Sequence, residues 1–295
     1  MDDLIIASRL VHFAAAALLF GAPLFRLAIA PQQEATRPGW ELAASVAALL
    51  SGLGWFAGVA ATMAGSFADA VAPDILRAVA FDTRFGHLWI GRLVVLIAIV
   101  AVQFASEPTR GRDVVLAILA AAFAASLVGV GHGMTGAGHG PEVAHLHMAA
   151  DMVHLLCATG WIGALVCLGH LLHAVLAGRV TVETARIALR RFSAMGYWAV
   201  ALLLVTGCIN ALVMVPRPAS LIVSDYGRAL LVKLAFVALM VAIAIVNRLT
   251  LTPAIMTGAQ PKGVRTLWRS VLLEQGVAVL VVAAVAWLGT IHPVP

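Results

Sequence analysis

Long apolar runs alternate along this chain with short polar interruptions. Eight of the runs approach or exceed the roughly 20 residues that carry a helix across the hydrocarbon core of a bilayer. They fall near 4–29, 40–65, 87–105, 113–130, 146–173, 192–215, 229–251 and 269–290. Between them stand "PQQEATRPGW", "SEPTRGRD", "PRPASLIVSDYGR" and "TGAQPKG", stretches whose Pro, Gly and charge stop helices. A longer connection over 66–86, "SFADAVAPDILRAVAFDTRFG", predicts a short interfacial helix. The pattern predicts an all-α polytopic membrane protein, a bundle of eight transmembrane helices forming one domain over 1–295. No soluble domain, low-complexity tract or internal repeat is visible. Pro23 predicts a kink in the first span. "GWFAG", a GxxxG built on Gly54 and Gly58, predicts close helix packing.

Composition sharpens this picture. The 295 residues are 62% hydrophobic and 11% charged, whereas soluble domains are about a quarter charged. The isoelectric point near 9.7 is not matched by a basic patch interleaved with aromatic residues, so nucleic acid is not an expected partner; the lipid bilayer is. The Lys and Arg residues serve instead as topology markers. Connections after the odd-numbered spans hold twelve of them: Arg26, Arg37, Arg110, Arg112, Arg179, Arg186, Arg190, Arg191, Arg248, Lys262, Arg265 and Arg269. The other side holds four, Arg77, Arg84, Arg217 and Arg228. This asymmetry predicts both termini outside, which in a Gram-negative bacterium is the periplasm, and places the loop 131–147 there too. The first span opens on "MDD", acidic where a secretory signal is basic, and Pro31 follows "AIA", so it is expected to remain as a permanent helix. Cys157, Cys167 and Cys208 all sit inside predicted spans and read as small buried residues rather than a disulfide framework.

Candidate chemistry gathers in "GHGMTGAGHGPEVAHLHMAADMVHLL", residues 131–156, which holds five of the ten histidines. His147, Asp151 and His154 fall at i, i+4 and i+7 and share one helix face. Met148 and Met152 make an i, i+4 pair on the adjoining face. Two imidazoles and a carboxylate on one stripe suit a divalent transition metal, and thioethers nearby favour copper, because soft sulfur suits Cu(I) and imidazole serves either oxidation state. His132 and His139, on glycine-rich backbone, and His145 at the helix start can reach the same metal. The ordinary alternatives are solvated loop histidines for His139 and His145, and packing for the methionines. For Asp151 the ordinary alternative is weaker, since a carboxylate inside a span costs roughly 2.5–3.5 kcal/mol on insertion scales and calls for a partner or a task.

The first span adds Arg9 and His12 near its outer end, at the level of His147 and His154. A lone histidine in an apolar helix is most often a hydrogen-bonded core residue; two helices offering histidines at one depth raise the prospect of a shared site. Arg26 is expected to anchor the inner end of this span. His170 and His173, at the other end of the fifth span, read as interfacial polar residues, with a metal exit station as the bolder alternative.

The segment over 190–290 contains "RFSAMGYWAVALLLVTGCINALVMV" and "YGRALLVKLAFVALMVAIAIVNRLTLTP". Its succession of RFS, TG-x-x-NAL, YG-x-x-L-x-x-K and a closing NR before Pro resembles the C-terminal signature of the CopD copper-resistance family. "RLVHF", "GVGH" ending at His132, and "HLLCATGWIGAL" resemble the family's upstream elements. The resemblance implies an eight-helix inner-membrane protein of copper homeostasis, working beside a separate periplasmic copper-binding partner of the CopC type. It also implies that His12, His132, His147 and His154 occupy positions where family members carry histidine, with Asp151 where relatives carry histidine instead.

Energetics bound the mechanism. The chain has no P-loop and no phosphorylatable Asp motif, so neither ATP-driven export nor an enzyme is expected. A cation moving inward along a negative-inside potential gains about 2.3 kcal/mol per charge per 100 mV. Copper uptake from periplasm to cytoplasm is therefore the expected activity, with Cu(I) and Cu(II) both open. Two other readings stand beside it: a haem b-binding electron carrier using His12 and His154 as axial ligands, and a periplasm-facing copper sensor or scaffold that passes no metal.

Overall fold

A computed structural model of the chain describes residues 1–30, 39–105, 107–130, 140–215, 217–257 and 261–291. Every regular element among the described residues is helical. Eight helices are long and apolar enough to cross a membrane. They are α1 (Asp2–Leu24, continued by a π turn, Phe25–Ile29), α2 (Trp40–Ala64), α5 (Arg84–Ala105), α6 (Arg110–Ala125, ending in a 3-10 turn, Ser126–Gly129), α7 (Pro141–Leu176), α8 (Val182–Met214), α10 (Asp225–Val246, continued by a π turn, Asn247–Leu251) and α12 (Pro261–Leu288). The connection 66–86 folds as two short helices, α3 (Phe67–Ala70) and α4 (Pro73–Phe81), rather than one. Ser66 caps the first by accepting the Asp69 N–H, and Pro73 starts the second, where a missing N–H costs nothing. Two more short helices, α9 (Ser220–Val223) and α11 (Thr252–Thr257), flank α10.

The predicted spans match these helices, but several helices outrun the hydrocarbon. α8 begins ten residues before the predicted span, because "VETARIALRR" is helix-forming though polar and Thr181 caps it through the Thr184 N–H. α7 begins at Pro141, after Gly140 at φ +91°, so His145 lies within the helix and not at its start. At Pro23 the expected break takes a milder form: α1 runs through it and loosens into the π turn that follows.

Two apolar cores share α1. In the first half of the chain, Ala15, Ala16 and Leu19 of α1 pack with residues of α2, α5 and α6, including Ala48, Leu96, Ile99 and Phe123. In the second half, Ala22, Phe25 and Ile29 of α1 pack with α7, α8, α10 and α12 around Leu165, Leu168, Leu172 and Leu267. α1 is thus the common wall of two half-bundles. Gly54 and Gly58 bring α2 down onto Ser8 and Ile5 of α1, the close packing the GxxxG predicts. The seam between α1 and α7 is closer still: a Cβ on Gly21 would land on the backbone of Gly163, and one on Gly163 on the carbonyl of Ala17.

Arg26 departs from its expected role. Its side chain does not extend outward but lies buried, 4% exposed, paired with Glu41 of α2 and donating from Nε to Asp113 of α6 at 2.9 Å. Three helices converge on this one guanidinium, because two carboxylates in an apolar bundle are stable only beside a counter-charge.

Candidate functional site

The α1–α7 seam fixes where the histidines stand. His12 lies nine residues before Gly21, and His154 nine residues before Gly163. Since α1 and α7 are both odd-numbered spans and run the same way, the two histidines share one depth, as expected. Nine residues are also about two and a half helical turns. Each imidazole therefore points away from the seam, on the side of its helix opposite the glycine. His12 makes its contacts with α2, α5 and α6 and His154 with Thr206 and Gly207 of α8, so the expected pocket shared by His12 and His154 is not formed among the described residues. Among the described residues no three His, Cys, Asp or Glu side chains gather as a metal site. His132 and His139 lie outside the described residues.

His12 turns into the first half-bundle, 2% exposed. Its Nδ1 donates to the Ala48 carbonyl at 3.0 Å and lies 3.1 Å from Ser51 Oγ. On the other edge, Arg92 Nη2 donates to His12 Nε2 at 2.6 Å. Arg92 is itself held by the Phe123 carbonyl at 2.8 Å and by the Ser126 hydroxyl, with its guanidinium 4.2 Å above the Phe123 ring. Trp55, Trp89 and Phe123 enclose the imidazole, with ring centroids 5.4–5.9 Å away. Both ring nitrogens are engaged, and the guanidinium occupies the position that a bound cation would need. Arg9, one turn earlier, is spread over Phe13 and Trp55.

The α7 face is the converse. His147 is fully buried, yet neither of its ring nitrogens has a hydrogen-bond partner among the described residues. One turn on, Asp151 Oδ1 accepts from Asn210 Nδ2 of α8 at 3.1 Å. His154 Nδ1 lies 3.0 Å from Thr206 Oγ1. The Thr206 hydroxyl proton goes to the Leu202 carbonyl at 2.6 Å, so Thr206 can only accept, and His154 must donate through Nδ1. That leaves the His154 Nε2 lone pair for a ligand, the arrangement by which outer partners orient metal-binding histidines. Lys233 of α10 lies within electrostatic reach of Asp151 and His154. Met148 and Met152 are 37% and 39% exposed and turn to the outside of the bundle, away from the buried His147. The thioethers are therefore not brought to this face, because they sit about 100° around the helix from His147 and Asp151. His145 is exposed as well, and His173, also exposed, packs on Trp268. Cys157 is half-buried, Cys167 buried and Cys208 exposed, all as free thiols.

Sequence reasoning passed over four polar groups that matter here: Arg92, Thr206, and the buried Asn247 and Glu274 lower in the second half-bundle. Arg92 and Glu274 carried the same signal as Asp151, an ionisable side chain inside an apolar run. Thr206 had none, since a threonine in a span is ordinary.

An eight-span helical membrane protein with an imidazole–carboxylate face on α7, buried at His147 and half-buried at Asp151 and His154, is the class this fold and site define. The chain matches the description "Copper resistance protein D-like, N-terminal domain" over residues 1–140 and "Copper resistance protein D" over residues 186–288. It is 30% identical to Copper resistance protein D of Pseudomonas syringae pv. tomato, an alignment covering 99% of this chain and 97% of that one. It is 29% identical to Inner membrane protein YebZ of Escherichia coli (strain K12), with 98% of each covered. The chain belongs to the copper resistance protein D family. No solved structure matches it.

Proposed function

We propose that this protein is an inner-membrane carrier in copper homeostasis that takes copper ions from the periplasm into the cytoplasm. The observation that carries this reading is His147, fully buried with both ring nitrogens unpartnered among the described residues. A buried polar group without a partner is costly, and a neutral imidazole offers one lone pair to a metal. Asp151 stands one turn away to balance charge, and His154 presents Nε2 a turn further. Nitrogen and carboxylate donors of this kind accept copper in its divalent state and imidazole also holds the monovalent one. On sequence grounds His132 belongs to the same capture set.

The Lys and Arg asymmetry supports an orientation with both termini, and hence the first turns of α7, on the periplasmic side. From there, inward movement of each unit charge releases about 2.3 kcal/mol per 100 mV, so uptake requires no nucleotide. A separate periplasmic copper-binding protein of the CopC type is the natural donor. The protein acts as a carrier and not as an enzyme.

Cells expressing wild type or the His147→Ala, His154→Ala double variant, at matched membrane levels, are compared for cytoplasmic copper. We expect accumulation to fall to the level of cells lacking the protein. Equal copper in both would remove the uptake reading. Metal content of the detergent-purified pair separates a binding defect from a transport defect.

A further inference from the structure

The second half-bundle contains a cavity of about 220 Å³ between α7, α8, α10 and α12, lined among others by Trp161, Tyr197, Asn247, Arg248 and Glu274. Glu274 of α12 is 2% exposed. Its Oε2 accepts from Asn247 Nδ2 at 2.9 Å, while its Oε1 has no partner among the described residues. Asn247 Oδ1 is likewise buried and unpartnered. Two acceptor oxygens, on residues already joined by one hydrogen bond, therefore share a cavity and lack a donor. Arg248, next to Asn247, also lines the cavity; its guanidinium lies 3.7 Å from the centre of the Tyr197 ring, with Nη1 buried and unpartnered, and among the described residues it forms no ion pair with Glu274. α7 presents apolar residues to the cavity, α8 adds Ser193 and Tyr197, and among the described residues no charged group other than Arg248 and Glu274 lines it. The neighbouring Gln275 is committed to α7, donating to the Leu165 carbonyl at 3.0 Å.

Leu165 lies eleven residues beyond His154 on α7, so this carboxyl stands about 16 Å further along the bundle than the histidine face. Among the described residues no sulfur or imidazole lines the cavity. Its donors are hard oxygens, which suit a proton or a hard cation and not a soft copper ion. A single carboxylate balances a single positive charge. An ionised carboxylate with an unpartnered oxygen is costly in an apolar bundle, and a proton removes that cost at the atom that lacks a partner. A cavity of this size also has room for several waters to deliver it.

We propose that Glu274 is a proton-binding site of this protein, exchanging its proton through water held in the Asn247–Tyr197 cavity. In one direction hydronium gives its proton to Oε1 and becomes water; in the other, the carboxyl returns it. No oxidant or reductant takes part. The site stands apart from the α7 histidines and does not depend on the copper reading.

The test is infrared difference spectroscopy on the full chain in lipid vesicles, stepped from mildly acidic to mildly alkaline buffer. Wild type should show the carbonyl stretch of a protonated carboxyl that disappears as buffer becomes alkaline, and Glu274→Gln should lose that band. Should Glu274→Gln fail to accumulate, Glu274→Asp shifts the carboxyl within the cavity and must displace the midpoint of the band. A folded Glu274→Gln protein with the full band, or an unmoved midpoint in Glu274→Asp, overturns the proposal. Copper content of the same variants, expected to equal wild type, keeps its outcome separate from that of the α7 site.

Discussion

His12 and His147 sit in the same membrane bundle, both almost fully buried, and differ in one respect. His12 has a partner at each nitrogen and three aromatic rings around it. His147 has no partner at either nitrogen among the described residues. Burial alone therefore says nothing about whether a histidine is structural. What separates the two is hydrogen-bond satisfaction: a satisfied imidazole resists displacement, while an unsatisfied one gains free energy from any ligand that reaches it. The first half-bundle has used its histidine to hold helices together, and the second has left one available.

The comparison can be broken most severely at the seam that sets it. Gly163→Val would push a branched side chain into the backbone of α1 at Ala17 and Gly21. We expect loss of folded protein from membranes, a cost above about 3 kcal/mol on the scale of overpacked cores; wild-type yield and melting would refute the seam. Next in size, His12→Leu removes the partner of a buried guanidinium. We expect destabilisation of about 3 kcal/mol in detergent unfolding, because the buried Arg92 Nη2 loses its acceptor, with copper content per folded molecule unchanged. Thr206→Val removes the acceptor that fixes His154 in its tautomer. Copper affinity should fall about 10- to 100-fold with little change in melting. The smallest effect belongs to His147→Leu. It breaks no hydrogen bond, so stability should change by less than about 1 kcal/mol or rise slightly; a loss as large as that of His12→Leu would erase the contrast between the two residues.

Much of the architecture was legible in the chain, and the limits of that reading have physical causes. Apolar run length decides whether a helix spans, so all eight spans were visible. Depth was also legible, because 1.5 Å per residue is uniform along every helix. Azimuth was not. Whether His12 and His154 face one another depends on which side of α1 meets α7, and that is set by Gly21 and Gly163, residues 142 positions apart in the chain. Once that contact is known, the opposed directions follow from helical periodicity alone. Met148 and Met152 were lost to the site for the same reason. Arg26 was misread because the two carboxylates that hold it lie on other helices.

Arg26 also constrains how the protein is made. When the first helix leaves the ribosome, its guanidinium has no counter-charge in the bilayer; Glu41 follows 15 residues later and Asp113 another 72 after that. A lone arginine in lipid is unfavourable, and a lone aspartate is too. Helices one, two and six therefore cannot settle independently in order of synthesis. The ion-paired centre of this half is therefore complete only once α6 has joined the first hairpin, which ties the packing of α1 and α2 to the arrival of a helix made much later.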